Sequence, residues 1–254
     1  MGALHAGHTA LIDRARKLAG AEGTVVVSIF VNPTQFGPKE DLSRYPRPFF
    51  ADQKLCAAHG ADVIFHPSAE EMYPEGYSTF VDENSVSAPL CGASRPGHFR
   101  GVCTVVLKLF QIVAPQVAVF GLKDFQQCAV IRRMVRDLNL PVRIVPVPTV
   151  READGLALSS RNRYLSPEER AQAPILRRAL LSTRAAVQAG EKNAGKLHRK
   201  LVAQIATAPL ARLDYAEIVD ADSLRPVAKV GRNTLVALAV FFGRTRLIDN
   251  LWLK

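Results

Sequence analysis

The sequence lacks the features that mark membrane and secreted proteins. No apolar run approaches the roughly 18 to 20 residues that a membrane-spanning helix needs. The longest candidate, Val102 to Val113, is interrupted by Lys108 and Gln111. The chain also begins without the charged and then apolar regions of a secretory signal. We therefore expect a cytoplasmic protein with no membrane partner.

Cysteine is scarce and is not arranged for metal binding. The four cysteines are Cys56, Cys91, Cys103 and Cys128. None forms a C-x-x-C pair, and none lies at zinc-ligand spacing from a histidine. We expect reduced thiols, as in cytosolic proteins, rather than a disulfide framework or a zinc site.

Acidic residues are few relative to basic ones, 23 against 33, which gives a net charge of +10. This charge favours anionic ligands and would also suit nucleic acid. However, the basic residues are spread along the chain, and no RNP-type aromatic motif accompanies them. We expect an anionic small-molecule ligand and no nucleic-acid partner. A nucleic-acid-binding protein with steeply salt-dependent affinity for tRNA is the alternative from another class.

The order of periodic segments predicts an α/β protein of two domains. Through residue 149, helical and strand-like patterns alternate, which indicates βαβ crossovers and a Rossmann-like parallel sheet domain over 1–149. One further strand-like run, near Thr79 to Val81, lies in an otherwise irregular stretch. From 150 to 254 helices come first and strands follow, which predicts a smaller α+β C-terminal domain.

Two histidines near the start, His5 and His8, enclose Ala6 and Gly7 just before an amphipathic run. A helix beginning there would offer free backbone N–H groups to an anion. Gly7 would allow a charged ligand close to the backbone, and the histidines would supply two donors. The alternative is two surface histidines on a turn.

Polar residues also follow the predicted strand that ends at Val31. Ligands bind beyond the carboxyl ends of strands in open α/β sheets, so Asn32 and Gln35 are candidate ligand contacts. Asn32 would alternatively just begin the turn. His98 stands with Arg95 and Arg100 at a helix start, where cations oppose the helix dipole unless they share an anion. The alternative there is a loop of exposed charges.

Two later segments suit phosphate. Gly121 to Asp124 forms a turn between a strand and a helix, so Lys123 can reach a phosphate while Asp124 caps the helix. Ser159, Ser160 and Arg161 combine hydroxyls with a planar guanidinium, which suits a triphosphate. The alternative for this second segment is a serine-rich hinge.

Taken together, these motifs resemble the pantothenate synthetase (pantoate–β-alanine ligase) family, within the adenylyl-transfer superfamily that has the His-x-Gly-His signature. The resemblance covers essentially the whole chain. It rests on six motifs in order: Met1 to His8, Phe30 to Phe36, Tyr45 to Arg47, His98 to Val102, Gly121 to Asp124 with Gln127, and Ser159 to Asn162.

The resemblance implies a role for each matching residue. His5 and His8 would bind the ATP phosphates, with His8 catalytic, and Lys123, Ser159, Ser160 and Arg161 would complete the charge-neutralising set. Gln35 and Gln127 would hold pantoate beside Asn32 and His98, and Asp52 would lie near Mg²⁺, the implied cofactor. The remaining ATP contacts would come from Met1, Gly2, Ala3, Leu4, Ala6, Gly7, Gly121, Leu122, Asp124, Val150 and Leu158.

The family's activity has two steps, formation of pantoyl adenylate from ATP and pantoate and its aminolysis by β-alanine; the family also implies a homodimer. The chain differs from the pattern at Leu122 and Leu158, where glutamate and methionine are usual. Members also carry a further strand before Met1, so we hypothesise that the true start lies upstream or that the sequence is truncated. The alternatives are another His-x-Gly-His adenylyltransferase, with a dinucleotide-like product, and a catalytically dead relative.

Overall fold

The computed structural model describes residues 1–38 and 42–253. The helices in chain order are α1 (Ala6–Ala19), α2 (Phe49–Ala58), α3 (Ala69–Met72), α4 (Cys91–Ser94), α5 (His98–Val113), α6 (Phe125–Asp137), α7 (Pro167–Gln172), α8 (Ile175–Gln188) and α9 (Ala194–Ile205). The strands are β1 (Val26–Ser28), β2 (Val63–Phe65), β3 (Val117–Gly121), β4 (Arg143–Val147), β5 (Ala211–Asp220), β6 (Thr234–Phe242) and β7 (Thr245–Leu253).

The chain forms two compact units. Unit 1 contains residues 1–87, 95–122 and 127–148, and unit 2 contains residues 88–94, 123–126 and 149–254. Two short segments from the first half of the sequence therefore belong to unit 2. The segment 123–126 includes Lys123, a residue of the turn predicted to bind phosphate.

Unit 1 contains two parallel strand pairs connected through helices. β1 pairs with β2, and β3 pairs with β4, each in parallel. Buried β-branched residues of β1 and its flanks pack with Ile12 of α1 and Cys56 of α2. These elements confirm the Rossmann-like α/β class predicted for this part of the chain.

One predicted strand is absent from the structure. Residues 79–81 have no regular secondary structure. The N–H of Val81 donates to Thr104 Oγ1 of α5 at 3.0 Å, so it bonds to a helix side chain and not to a neighbouring strand. The prediction of a strand from this short strand-like run is therefore wrong.

Unit 2 contains an antiparallel sheet, in the order β5–β6–β7, that packs against α8 and α9. Its core is formed by fully buried leucines and isoleucines of the two helices and by the inner face of β6. The helical segment after Ser166 is divided at Pro174 into α7 and α8, because proline has no backbone N–H to donate within a helix. Among the described residues, no helix is long and apolar enough to cross a membrane.

Candidate active site

His5 and His8 form the N-terminal cap of α1. The N–H of Gly7 donates to His5 Nδ1 at 3.1 Å, and the N–H of His5 donates to His8 Nδ1 at 3.3 Å. The two ring centroids are 4.1 Å apart. A backbone N–H can only donate, so each Nδ1 is an acceptor and the proton of each neutral ring is on Nε2. The cap therefore selects the tautomer that carries an Nε2–H donor.

The loop before α1 is fixed by Asp52 of α2. Its Oδ2 accepts from the N–H of Ala3 at 2.8 Å, and its Oδ1 accepts from the N–H of Leu4 at 2.7 Å. Ala3 has a φ of 49°, in the left-handed region that a residue with a Cβ rarely adopts. Asp52 is only 2% exposed. Its carboxylate thus stabilises the strained loop that the family resemblance predicts to lie along the nucleotide.

These contacts give Asp52 a structural role in the loop, and its predicted place near Mg²⁺ stays a prediction. Each of its oxygens accepts one hydrogen bond from a backbone N–H group and keeps a second lone pair. Among residues 1–38 and 42–253, no group of three histidine, cysteine, aspartate or glutamate side chains could hold a metal ion. The described donor set therefore does not fit a metal ion held by the protein alone.

Asn32 supports the neighbouring turn from a buried position. Its Oδ1 accepts from Tyr73 Oη at 2.7 Å and from Thr34 Oγ1 at 3.0 Å. Its Nδ2 donates to the carbonyl of Gly101 at 3.1 Å and to Gln35 Oε1 at 3.3 Å. Asn32 is 3% exposed and has all these polar groups engaged within the protein. It orients Gln35, which leaves Gln35 as the stronger candidate for a substrate contact.

Tyr73 is a part of this network that sequence reasoning missed. Its hydroxyl bonds Asn32 and also lies 3.3 Å from Thr34 Oγ1. Burial raises the pKa of Tyr73, so the hydroxyl stays protonated and can donate at neutral pH. No sequence signal marks this tyrosine, because its partners are about 40 residues away in the chain.

His98 also supports Gln35. Its Nδ1 lies 2.9 Å from the carbonyl oxygen of Gln35, and its Nε2 lies 3.0 Å from Arg95 Nη1. The carbonyl only accepts and the guanidinium only donates, so the ring is neutral with its proton on Nδ1. Arg95 Nη2 donates to the same carbonyl at 3.3 Å. Both ring nitrogens of His98 thus have protein partners, which favours a positioning role over the predicted substrate contact.

Gln127 differs from Asn32 and His98. It is half-buried in α6, and its side chain forms no hydrogen bond with any residue in the described part of the chain. The preceding residue, Gln126, is buried and bonds the backbone of Cys91 and Pro89. Of these adjacent glutamines, Gln127 is therefore the one whose amide is available to a ligand.

The segment after Gly121 forms a 3₁₀ turn, Leu122–Asp124. Lys123 Nζ lies 3.6 Å from Asp124 Oδ1, and the lysine side chain is 22% exposed. Asn250 of β7 donates its Nδ2 to the carbonyl of Lys123 at 3.0 Å. A ligand phosphate would compete with Asp124 for the lysine ammonium group.

Val150 and Leu158 are joined by a backbone bond, from the N–H of Leu158 to the carbonyl of Val150 at 3.0 Å. They lie at the two ends of a hairpin that turns at Gly155, whose φ is 91°. The hairpin thus brings the residue predicted to border adenine beside the segment predicted to bind phosphate.

Ser159 and Ser160 follow directly. Ser159 caps a 3₁₀ helix, Ser160–Tyr164, by accepting from the N–H of Arg161 at 3.2 Å. Ser160 is 9% exposed, and Arg161 is half-buried. The segment is therefore the capped first turn of a short helix.

Arg170 of α7 stabilises this hairpin. It donates to Asp154 Oδ2 at 2.6 Å and to Glu152 Oε2 at 2.7 Å. The hydrogen bond from Arg170 lowers the pKa of Asp154 below its usual value of 3.8. Asn162 donates to Glu152 Oε1 at 2.7 Å and to the carbonyl of Ala157 at 3.1 Å, while its buried Oδ1 has no hydrogen-bond partner among the described residues.

The amino-acid sequence matches a family model described as pantoate-beta-alanine ligase over residues 1–252. The pantothenate synthetase of Moorella thermoacetica is 54% identical over 254 residues, which is 100% of this chain and 89% of the relative. That of Heliobacterium modesticaldum is 56% identical over 251 residues, 99% of this chain and 88% of the relative.

Solved structures give the same result. A crystal structure of pantothenate synthetase from Thermus thermophilus aligns with a TM-score of 0.94 at 50% identity, covering 99% of this chain and 90% of that one. A pantoate-beta-alanine ligase from Francisella tularensis, complexed with beta-gamma ATP and beta-alanine, aligns with a TM-score of 0.77 at 35% identity, covering 99% and 87%. The chain belongs to the pantoate–β-alanine ligase family.

Proposed function

We propose that this protein is an enzyme that condenses pantoate with β-alanine at the expense of ATP, producing pantothenate, AMP and pyrophosphate. The observation that carries the proposal is the capped histidine pair at the start of α1, in a chain of this family. The carboxylate of pantoate attacks the α-phosphorus, and pyrophosphate leaves. The amine of β-alanine then attacks the carbonyl of pantoyl adenylate, and AMP leaves.

The first step needs charge neutralisation and positioning more than a protein nucleophile. The pantoate carboxylate is itself the nucleophile, and negative charge on the phosphates opposes its approach. The Nε2–H groups of His5 and His8 are donors already oriented by the backbone, so they lose little freedom when they bind a phosphate oxygen. Lys123, Ser159, Ser160 and Arg161 supply the remaining proposed phosphate contacts.

Two uncharged amides are proposed to bind pantoate. Gln35 is held from three sides, by Asn32 at its side chain and by Arg95 and His98 at its carbonyl. Gln127 has an amide without a protein partner among the described residues. Such amides can bind hydroxyl and carboxylate groups without adding a charge that would compete with the phosphates.

Mg²⁺ enters the proposal as the counter-ion of ATP and not as a resident metal. This assignment follows from the lack of a three-residue metal-binding group in the described ranges. A homodimer, a cytoplasmic location and the division into domains 1–149 and 150–254 stay predictions of the sequence.

The test is an assay of the purified protein with ATP, Mg²⁺ and pantoate, with and without β-alanine. We expect ATP–pyrophosphate exchange with pantoate alone, and AMP accumulation only when both pantoate and β-alanine are present. A stable dinucleotide-like product without amide formation would instead identify a different adenylyltransferase. Absence of any pantoate-dependent exchange would contradict the proposal.

A further inference from the structure

The two faces of β7 contact different segments of unit 2. Side chains alternate along a strand, so Thr245, Leu247 and Asp249 share the buried face. Asn250 and Trp252 lie on the opposite face. This alternation allows neighbouring residues of one strand to hold two separate parts of the chain.

Asn250 and Trp252 contact the segment that carries Lys123. Asn250 Nδ2 donates to the carbonyl of Lys123 at 3.0 Å. The ring of Trp252 lies edge-to-face with that of Phe125, with centroids 5.4 Å apart. One hydrogen bond and one aromatic contact, two residues apart on the strand, therefore hold residues 123 and 125.

Asp249 fixes the same strand to the other proposed ATP segment. Its two oxygens accept from Arg151 Nη1 at 2.7 Å and from Arg151 Nη2 at 2.8 Å. Arg151 also donates to the carbonyl of Gly155 at 3.0 Å, so it anchors the hairpin that leads to Ser159. Asp249 is 3% exposed, and this bidentate pair is shielded from water.

We propose that Asn250 is a positioning residue for ATP binding, which acts by fixing the backbone from which the Lys123 side chain extends. The ion pair of Asp249 fixes β7 beside the hairpin that contains Arg151. Asn250, on the same strand, therefore fixes the position of Lys123 relative to Ser159, Ser160 and Arg161. The proposal rests on the function proposed above, because it requires Lys123 to bind a phosphate of ATP.

The test is a double-mutant cycle on the full chain, read by calorimetric titration with ATP and Mg²⁺. The variants are Asn250→Ala, Lys123→Ala and the combination of both. We expect Asn250→Ala to weaken ATP binding roughly tenfold when Lys123 is present, because a misplaced group loses most of its contribution. In the Lys123→Ala background the same change should have almost no further effect.

Two further variants separate positioning from stability. Asn250→Asp keeps the size of the side chain but replaces the amide donor with an acceptor facing the Lys123 carbonyl, so it should bind ATP at least as poorly as Asn250→Ala. Asn193→Ala removes an asparagine cap in α9 of the same unit. This control should lower thermal stability by a similar amount and leave ATP affinity unchanged.

An equal loss of affinity from Asn250→Ala in both backgrounds would overturn the proposal, as would unchanged affinity in Asn250→Ala. Unchanged ATP affinity in Lys123→Ala would also overturn the proposal, because it would show that Lys123 does not bind ATP. The readout is binding and not turnover. A failure of the ligase reaction in the unsubstituted protein would therefore be seen separately, in the AMP assay.

Discussion

Gly101 of α5 packs directly against the carbonyl of Thr34, so closely that a Cβ at position 101 would lie 2.4 Å from the Thr34 oxygen. The same Cβ would lie 2.7 Å from the backbone nitrogen of Gln35. Only glycine allows this approach, since both contacts are to backbone atoms that cannot rotate away. The lack of a side chain at position 101 therefore allows the turn that carries Gln35 to lie directly against α5.

We expect Gly101→Ala to displace that turn. The overpacking should cost about 1–3 kcal/mol of stability, which exceeds the gain in helix propensity of up to ~1 kcal/mol. The KM for pantoate should rise more than the KM for ATP. Steady-state kinetics and thermal denaturation measure both effects. In the control, Gly231→Ala, the new Cβ would meet no described atom within 4 Å, so both properties should change little.

Variants of His8 can distinguish its proposed contact with the ATP phosphates from its contribution to the cap of α1. His8→Ala removes both the Nε2 donor and the acceptor for the N–H of His5. Glutamine is a common residue at the third helical position of a capping box, so His8→Gln should restore the cap without the imidazole. We expect both variants to lose roughly 10²-fold or more in ATP–pyrophosphate exchange. Only His8→Ala should also lose about 1 kcal/mol of stability.

Near-normal exchange in His8→Gln would show that the ring acts only as a cap. An equal loss of stability in both variants would show that glutamine does not replace histidine in the helix cap.

The two roles considered for Asp52 predict different behaviour for Asp52→Asn. If Asp52 acts as a clamp on the loop of Ala3 and Leu4, the variant keeps one hydrogen-bond acceptor and loses the other. The lost bond to a charged group should cost roughly 1.5–3 kcal/mol of stability. The KM for ATP should rise at every Mg²⁺ concentration, and the Mg²⁺ concentration that gives half-maximal rate should be unchanged. A strongly raised Mg²⁺ requirement would restore the metal-ligand interpretation.

Arg170 predicts a pH-dependent contribution to stability. Because the folded-state pKa of Asp154 is lowered, the stabilisation is fully present above its usual value of 3.8 and is lost as the pH falls through the folded value. Both side chains are partly exposed, so Arg170→Gln should cost only about 1 kcal/mol or less at pH 7. The difference in urea-unfolding midpoint between Arg170→Gln and the unsubstituted protein should decrease below pH 3.8.

The exposed Arg178→Gln should show little effect at either pH. A difference for Arg170→Gln that persists undiminished in acid would rule out the ion pair as its source.

Local features could be predicted from the sequence, and distant contacts could not. The start of α1 and the division at Pro174 depend on residues within a few positions, so their patterns are visible in the chain. The polarity of Asn32 and His98 shows that each side chain needs a partner without showing which one, and their predicted contact with substrate stays a prediction. Their partners include Tyr73 and Gly101, 41 and 69 residues beyond Asn32.

The same limit applied to Lys123. Its chemistry was recognisable, but the residue that fixes its carbonyl lies 127 positions later. The assignment of segments 88–94 and 123–126 to unit 2 likewise depends on contacts such as that of Gln126 with Cys91. Periodicity describes the face of an element and carries no information about which distant element covers it.

Trp252 is the only tryptophan in the chain, and its indole ring lies against Phe125, two residues after Lys123. Indole emission shifts in wavelength and intensity with the polarity and rigidity of its surroundings. Excitation at wavelengths that tryptophan absorbs and tyrosine does not therefore reports on one known position beside the Lys123 turn. The nucleotide binding proposed for that turn can be tested in real time, in the unlabelled protein, through this single native indole.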